Sequence, residues 1–114
     1  MTHAFDEALS LQPLGDDRFG GRPHPDYANM VGPFGGISAA QMLQAVLIHP
    51  DRLGDPVSVT VNFCAAVADG GFEIEARPVR TNRSTQHWIV EMHQADGVVM
   101  SATVVTAVRR DTWA

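Results

Sequence analysis

From Val57 the chain alternates. Val57, Val59, Val61 and Phe63 are separated by Ser58, Thr60, Asn62 and Cys64. A period of two predicts a strand with one apolar face. The same rhythm returns twice more. Phe72, Ile74 and Ala76 alternate with Glu73, Glu75 and Arg77, and Trp88, Val90 and Met92 with Ile89, Glu91 and His93. Pro78 interrupts the second run, which predicts a bulge or an edge position there. A last strand is expected over 98–108. The turns between these runs are short: "AVADGG", "TNRS" and "QADG", the last placing Asp-Gly at the centre of a hairpin. Successive strands joined so tightly must be antiparallel.

Upstream, the period changes. In "NMVGPFGGISAAQMLQAVLIHP" (29–50), Ile37, Ala40, Leu43 and Leu47 share one helical face, and Ala39, Met42, Val46 and Ile48 an adjoining one. The polar residues Ser38, Gln41 and Gln44 advance by threes and form one narrow stripe, expected to face a partner or substrate, or else solvent. A helix this apolar is buried on most sides. Pro50 ends it, because the residue before proline is driven out of the helical region. The predicted helix spans 36–49. Before it, residues 1–25 read as a weak hairpin, Leu9–Leu14 and Arg18–Arg22, followed by a loop broken by Pro23 and Pro25. One long helix and an antiparallel sheet give an α+β layer architecture in a single domain, 1–114, with four strands over 57–108.

Composition narrows the functional classes. A chain of 114 residues buries about two thirds of its unfolded surface and holds one modest core. Hydrophobic residues make up 45% and charged residues only 18%, so part of the surface is expected to lie against a partner. The net charge of −5 and a pI near 5.3 argue against nucleic acid as a partner. The N-terminus has no basic and apolar signal pattern, and the apolar run around Ala39–Ile48 is too short to span a bilayer, so no membrane is expected and a cytoplasmic location is the default. The single cysteine, Cys64, excludes an intramolecular disulfide and reads as a small buried apolar residue rather than a nucleophile. His87 and His93 share a strand face but lie about 20 Å apart along it, and no other histidines cluster, so no metal site is expected.

With "GPFGGISAAQMLQAV", "VSVTVNFCAAVADGG", "FEIEARPVRTNRST" and "HWIVEMHQADGVVMSATVVTAV" in this order, the chain resembles the hotdog-fold acyl-CoA thioesterases over roughly residues 9–108. The likeness is nearest to the N-terminal half of double-hotdog enzymes, where "FGG" opens the central helix. It implies an antiparallel sheet wrapped around that helix and a second hotdog, either another chain or another half. It also implies an acyl thioester, on CoA or an acyl carrier, bound between the two. No cofactor is implied beyond the coenzyme A of the substrate. Backbone amides of Gly35 and Gly36 would form the oxyanion hole. A physical argument agrees: amides at a helix start are unpaired and carry positive partial charge, glycine permits close approach, and donors aimed at a developing oxyanion lower the barrier to acyl transfer.

Asn29 would orient water or the thioester carbonyl, or serve only as a turn residue. Gln41, one turn inside the helix, is the stronger polar candidate of the stripe. Tyr27, Phe34 and Ser38 are candidate substrate contacts. Arg83, Ser84 and Thr85 form a turn that the resemblance puts near the pantetheine and nucleotide path, where an arginine meets phosphate well. Two departures stand out. Many single-hotdog thioesterases carry Asn-x-x-Gly-x-x-His-Gly-Gly and then an acid in the helix. Here Asn29 and Gly32 match, but Phe34 stands directly before Gly35 and no carboxylate lies between Ile37 and Ile48. A hydratase, which needs an Asp and His pair at this turn and helix, is disfavoured. The expected function is therefore hydrolysis or binding of acyl thioesters, with the acid or base supplied elsewhere. The alternative is a non-catalytic acyl-binding or packing half whose partner domain holds the chemistry. "RRDTWA" reads as the start of a linker to such a partner.

Overall fold

A computed structural model describes residues 10–21, 28–29, 32–33, 35–65, 70–95 and 97–108. The elements run β1 (Gln12–Gly15), β2 (Arg18–Gly21), β3 (Ala28–Asn29), β4 (Gly32–Pro33), α1 (Gly35–Leu47), β5 (Asp55–Phe63), β6 (Phe72–Thr81), β7 (Thr85–Gln94) and β8 (Gly97–Ala107). Six strands form one sheet in the order β1-β2-β6-β7-β8-β5, every neighbouring pair antiparallel. This is the α+β hotdog architecture, with α1 packed over β6 and β7.

The alternation in sequence becomes the two faces of the sheet. Phe72, Ile74 and Ala76 of β6, Trp88, Val90 and Met92 of β7, and Met100, Ala102 and Val104 of β8 are all buried on the helix side of the sheet. Their cross-strand partners match: Trp88 opposes Val104, Val90 opposes Ala102 and Met92 opposes Met100. From α1, Met42, Ala45 and Val46 close the core. The register shifts between Pro78 and Arg80, as the proline predicts. The ladder with β2 reaches only Arg18↔Glu75, so Pro78 lies where β6 has no neighbour on that side and its missing N–H costs no ladder bond. The β7–β8 hairpin closes at Gln94↔Gly97. Asp-Gly is therefore not its central pair: Gly97 lies inside β8 at φ 117°, a conformation that favours glycine.

Two expectations need correction. Cys64 is exposed, not buried: it stands just past the end of β5, in step with Ser58, Thr60 and Asn62, which are exposed as well. The helix is also not enclosed all round: the sheet buries one face, while Ala39, Ala40, Leu43 and Leu47 remain partly exposed and Ile48 is exposed. A wrapping sheet thus accounts for one face of its apolarity and leaves the other to be explained.

The helix exit is tied down by polar contacts. Buried Gln86 accepts from Leu53 N–H (2.7 Å) and donates to the Asp51 carbonyl and the Thr81 hydroxyl (both 3.0 Å). Trp88 Nε1 donates to Thr106 Oγ1 (3.2 Å), which lies 3.5 Å from Gln86 Oε1. A buried amide with all its groups engaged avoids the desolvation cost of an orphaned one.

Candidate active site

Before the helix, two short strands pair. In the β3–β4 ladder Asn29 pairs with Gly32 and Ala28 with Pro33. The Asn-x-x-Gly motif is thus a two-strand hairpin delivering the chain into α1 at Gly35. Helix formation starts at the first glycine, so the amides of Gly35 and Gly36 belong to the first turn, whose N–H groups have no partner earlier in the helix. That turn carries no acidic residue, so no helix side chain offsets its partial positive charge. An anionic oxygen is the matching ligand. Tyr27 and Phe34 lie outside the described residues.

Ser38 and Gln41 are each only 1% exposed. They sit on the helix face shared with Met42, Ala45 and Val46, turned into the fold, while Gln44 is half-buried. A solvent-facing stripe is ruled out. The three residues also do not act as one open surface, since a hundred degrees per residue carries Gln44 toward the helix flank.

The turn at 82–85 lies at the other end. Asn82 accepts from Arg80 Nε (3.0 Å) and donates to Thr85 Oγ1 (3.1 Å), and the Ser84 carbonyl accepts Val108 N–H (2.8 Å). Arg83 is exposed. Gln86, next along the strand, binds residues 51 and 53, which follow the helix C-terminus. A helix of 13 residues is about 20 Å long, so Arg83, Ser84 and Thr85 are separated from Gly35 and Gly36 by the length of α1. Only an extended ligand reaches both.

An Asp–His pair escaped the sequence reading. His49 Nε2 lies 2.6 Å from Asp17 Oδ1, with the imidazole 2% exposed and set edge-on to Trp88, ring centroids 4.9 Å apart. Its Nδ1 accepts Asp51 N–H at 3.0 Å, so Nε2 carries the proton and donates it to Asp17. Both nitrogens are thus engaged in holding the ring in place. The pair clasps the β1–β2 turn to the end of the helix. The only sequence signal was the Gly-Asp-Asp turn, whose Asp16 and Asp17 both take positive φ.

The other open feature is β5. Val59, Val61 and Phe63 oppose Val104, Ala102 and Met100, so they point to the helix side of the sheet. Yet Val59 is 42% and Phe63 62% exposed. The helix lies over β6 and β7 and leaves this end of the inner face uncovered.

Residues 24–107 match the acyl-CoA thioesterase N-terminal domain family. The chain belongs to that family. Among solved structures, this thioesterase-family domain is similar to a hot dog fold protein of unknown function from Alicyclobacillus acidocaldarius. The two are 53% identical with TM-score 0.93, covering 100% of this chain and 43% of the other. A putative thioesterase II from Thermobifida fusca YX is 23% identical with TM-score 0.84, covering 93% of this chain and 40% of the other. The acyl-CoA thioesterase II TesB2 from Mycobacterium marinum is 19% identical with TM-score 0.79, covering 95% and 40%. This domain therefore spans less than half the length of each of these relatives. None of the curated proteins compared matches it. No helix among the described residues is long and apolar enough to cross a membrane.

Proposed function

We propose that this domain is one hotdog of a paired acyl-CoA thioesterase and supplies the oxyanion-binding part of a site completed by the second hotdog. The observation that carries this is the uncovered inner end of the sheet. β5 is an edge strand, and Val59 and Phe63 face inward without cover. The apolar residues Ala39, Leu43 and Leu47 of α1 are also only half-buried. Open sheet edges with apolar faces are a liability unless another strand or domain meets them, and a second hotdog joining at β5 covers this one.

In this reading the thioester carbonyl oxygen receives hydrogen bonds from the Gly35 and Gly36 amides. Water adds to the carbonyl carbon, the negative charge of the tetrahedral species collects at those amides, and the C–S bond breaks. The thiolate leaves and takes a proton, and the acyl group leaves as the acid. Asn29 and Gln41 orient the water or carbonyl. Tyr27, Phe34 and Ser38 are assigned to substrate binding, and Arg83, Ser84 and Thr85 to the carrier end. The base that activates water comes from the second hotdog, because α1 offers no carboxylate. That same lack favours a second reading, in which this half only packs and binds acyl chains.

The two separate in one experiment. Acyl-CoAs of increasing chain length are offered to the full-length protein with thiol release as readout. Gly36→Val is expected to lower kcat by roughly 10² to 10³, the cost of an oxyanion donor, with the fold unchanged by circular dichroism. Full activity in that variant leaves only the packing role, and no thiol release from any acyl-CoA in the unmodified protein sinks the thioesterase reading.

A further inference from the structure

The outer face of the sheet, away from the helix, carries a cluster that the thioesterase chemistry does not use. Glu75 of β6 and Glu91 of β7 are direct cross-strand partners, and His93 lies two residues beyond Glu91 on the same face. One oxygen from each carboxylate and one imidazole nitrogen all lie within 4.8 Å of one another. Like charges placed directly opposite destabilise a strand pair, so a cation held by both carboxylates stabilises it. Among the described residues the cationic contacts to this pair are long. Arg77 Nη1 comes only to 3.9 Å from Glu75, and the short contact of Arg18, 2.8 Å, goes to Glu73 instead. His93 adds an independent sign. Its Nε2 is buried and makes no hydrogen bond, standing 3.7 Å from Glu91 Oε1, too far to donate. A ring nitrogen without a hydrogen bond, close to carboxylate oxygens, is a donor atom available to an ion.

We propose that Glu75, Glu91 and His93 bind one divalent transition-metal ion of the Zn²⁺ class. Donors about 2.0–2.2 Å from a tetrahedral ion stand roughly 3.4 Å from one another. The 3.7 Å from Nε2 to Glu91 Oε1 is already near that value, and side-chain rotation closes the remainder. One imidazole with two carboxylates suits Zn²⁺, Co²⁺ or Ni²⁺; three protein donors are too few for Ca²⁺, which takes six to eight oxygens. Water completes the coordination, since all three residues are partly exposed. The ion would neutralise the Glu75–Glu91 repulsion and clip β6 to β7 from the side opposite the core. The sequence expectation of no metal considered only histidine pairs; the register across two strands is what assembles these ligands.

The test is a Co²⁺ titration of the untagged full-length protein, followed by visible absorption, with Zn²⁺ as competitor. One ion per chain is expected. His93→Gln, Glu75→Gln and Glu91→Gln should each weaken binding at least tenfold, and saturating Zn²⁺ should raise Tm in the unmodified protein but not in the variants. As a check independent of variants, Zn²⁺ should shift the imidazole resonances of His93 in the unmodified protein. Absence of stoichiometric binding, binding unaltered in all three variants, or imidazole shifts confined to other histidines would each overturn the assignment.

Discussion

β7 and β5 have nearly the same length, ten and nine residues, and nearly the same alternation in sequence, yet they end in different environments. In β7 every inward side chain from Gln86 to Met92 is buried. In β5 the inward Val59 and Phe63 stand open, and the outward Ser58, Thr60 and Asn62 are exposed as well. The difference is not in the strands. β7 has neighbours on both sides and the helix above; β5 has β8 on one side, and among the described residues the helix packs over β6 and β7 instead. Alternation therefore tells which face is apolar, and only topology tells whether the chain itself provides the cover.

That contrast predicts how the two strands respond to damage. Trp88→Ala removes the largest core side chain and the Thr106 contact, and is expected to cost about 3–5 kcal/mol in urea denaturation. A loss under 1 kcal/mol would mean that β7 is not the core strand described. Gln86→Leu strands the Leu53 N–H and the Asp51 carbonyl, so roughly 2–3 kcal/mol should go, with Gln86→Glu failing to restore it because Asp51 then faces a second acceptor. Phe63→Ser distinguishes the regions most sharply. With a second hotdog covering β5, about 2 kcal/mol of assembly free energy is lost, read as weaker association in sedimentation. With β5 bare, the change stays within about 0.5 kcal/mol and association is unaltered. Smallest is Arg18→Ala, since both partners of the Arg18–Glu73 pair are roughly half exposed; less than about 1 kcal/mol is expected.

The fold was legible because its signals are local. Period-two runs at 57–63, 72–77 and 88–93, short turns, and one long apolar helix leave few arrangements open, and Pro78 announced its own bulge. The site was less so. The sequence marks where the glycines stand, but the separation of Arg83 from Gly35 by the length of α1 depends on which end of the helix meets β7. The burial of Ser38 and Gln41 was missed because a polar stripe at helical spacing does not say which way it turns. Cys64 is exposed because it follows the last residue of β5, in step with the polar positions of that run rather than the apolar ones. His49 with Asp17, and Glu75 with Glu91 and His93, join residues through tertiary packing or cross-strand register, and no spacing rule along one chain links them.

The Gln86 amide also bears on uniqueness. A hydrophobic strand can slide by a residue and still find apolar company, but such a slip would swing Gln86 to the opposite face together with Trp88, Val90 and Met92. Its partners come from three places, the 51–53 segment, Thr81 of β6 and Thr106 of β8. Only one alignment of β7 satisfies them all. The amide works as an indexing pin: it selects, among the near-degenerate ways of stacking valines and methionines, the single alignment in which the helix exit and the sheet agree.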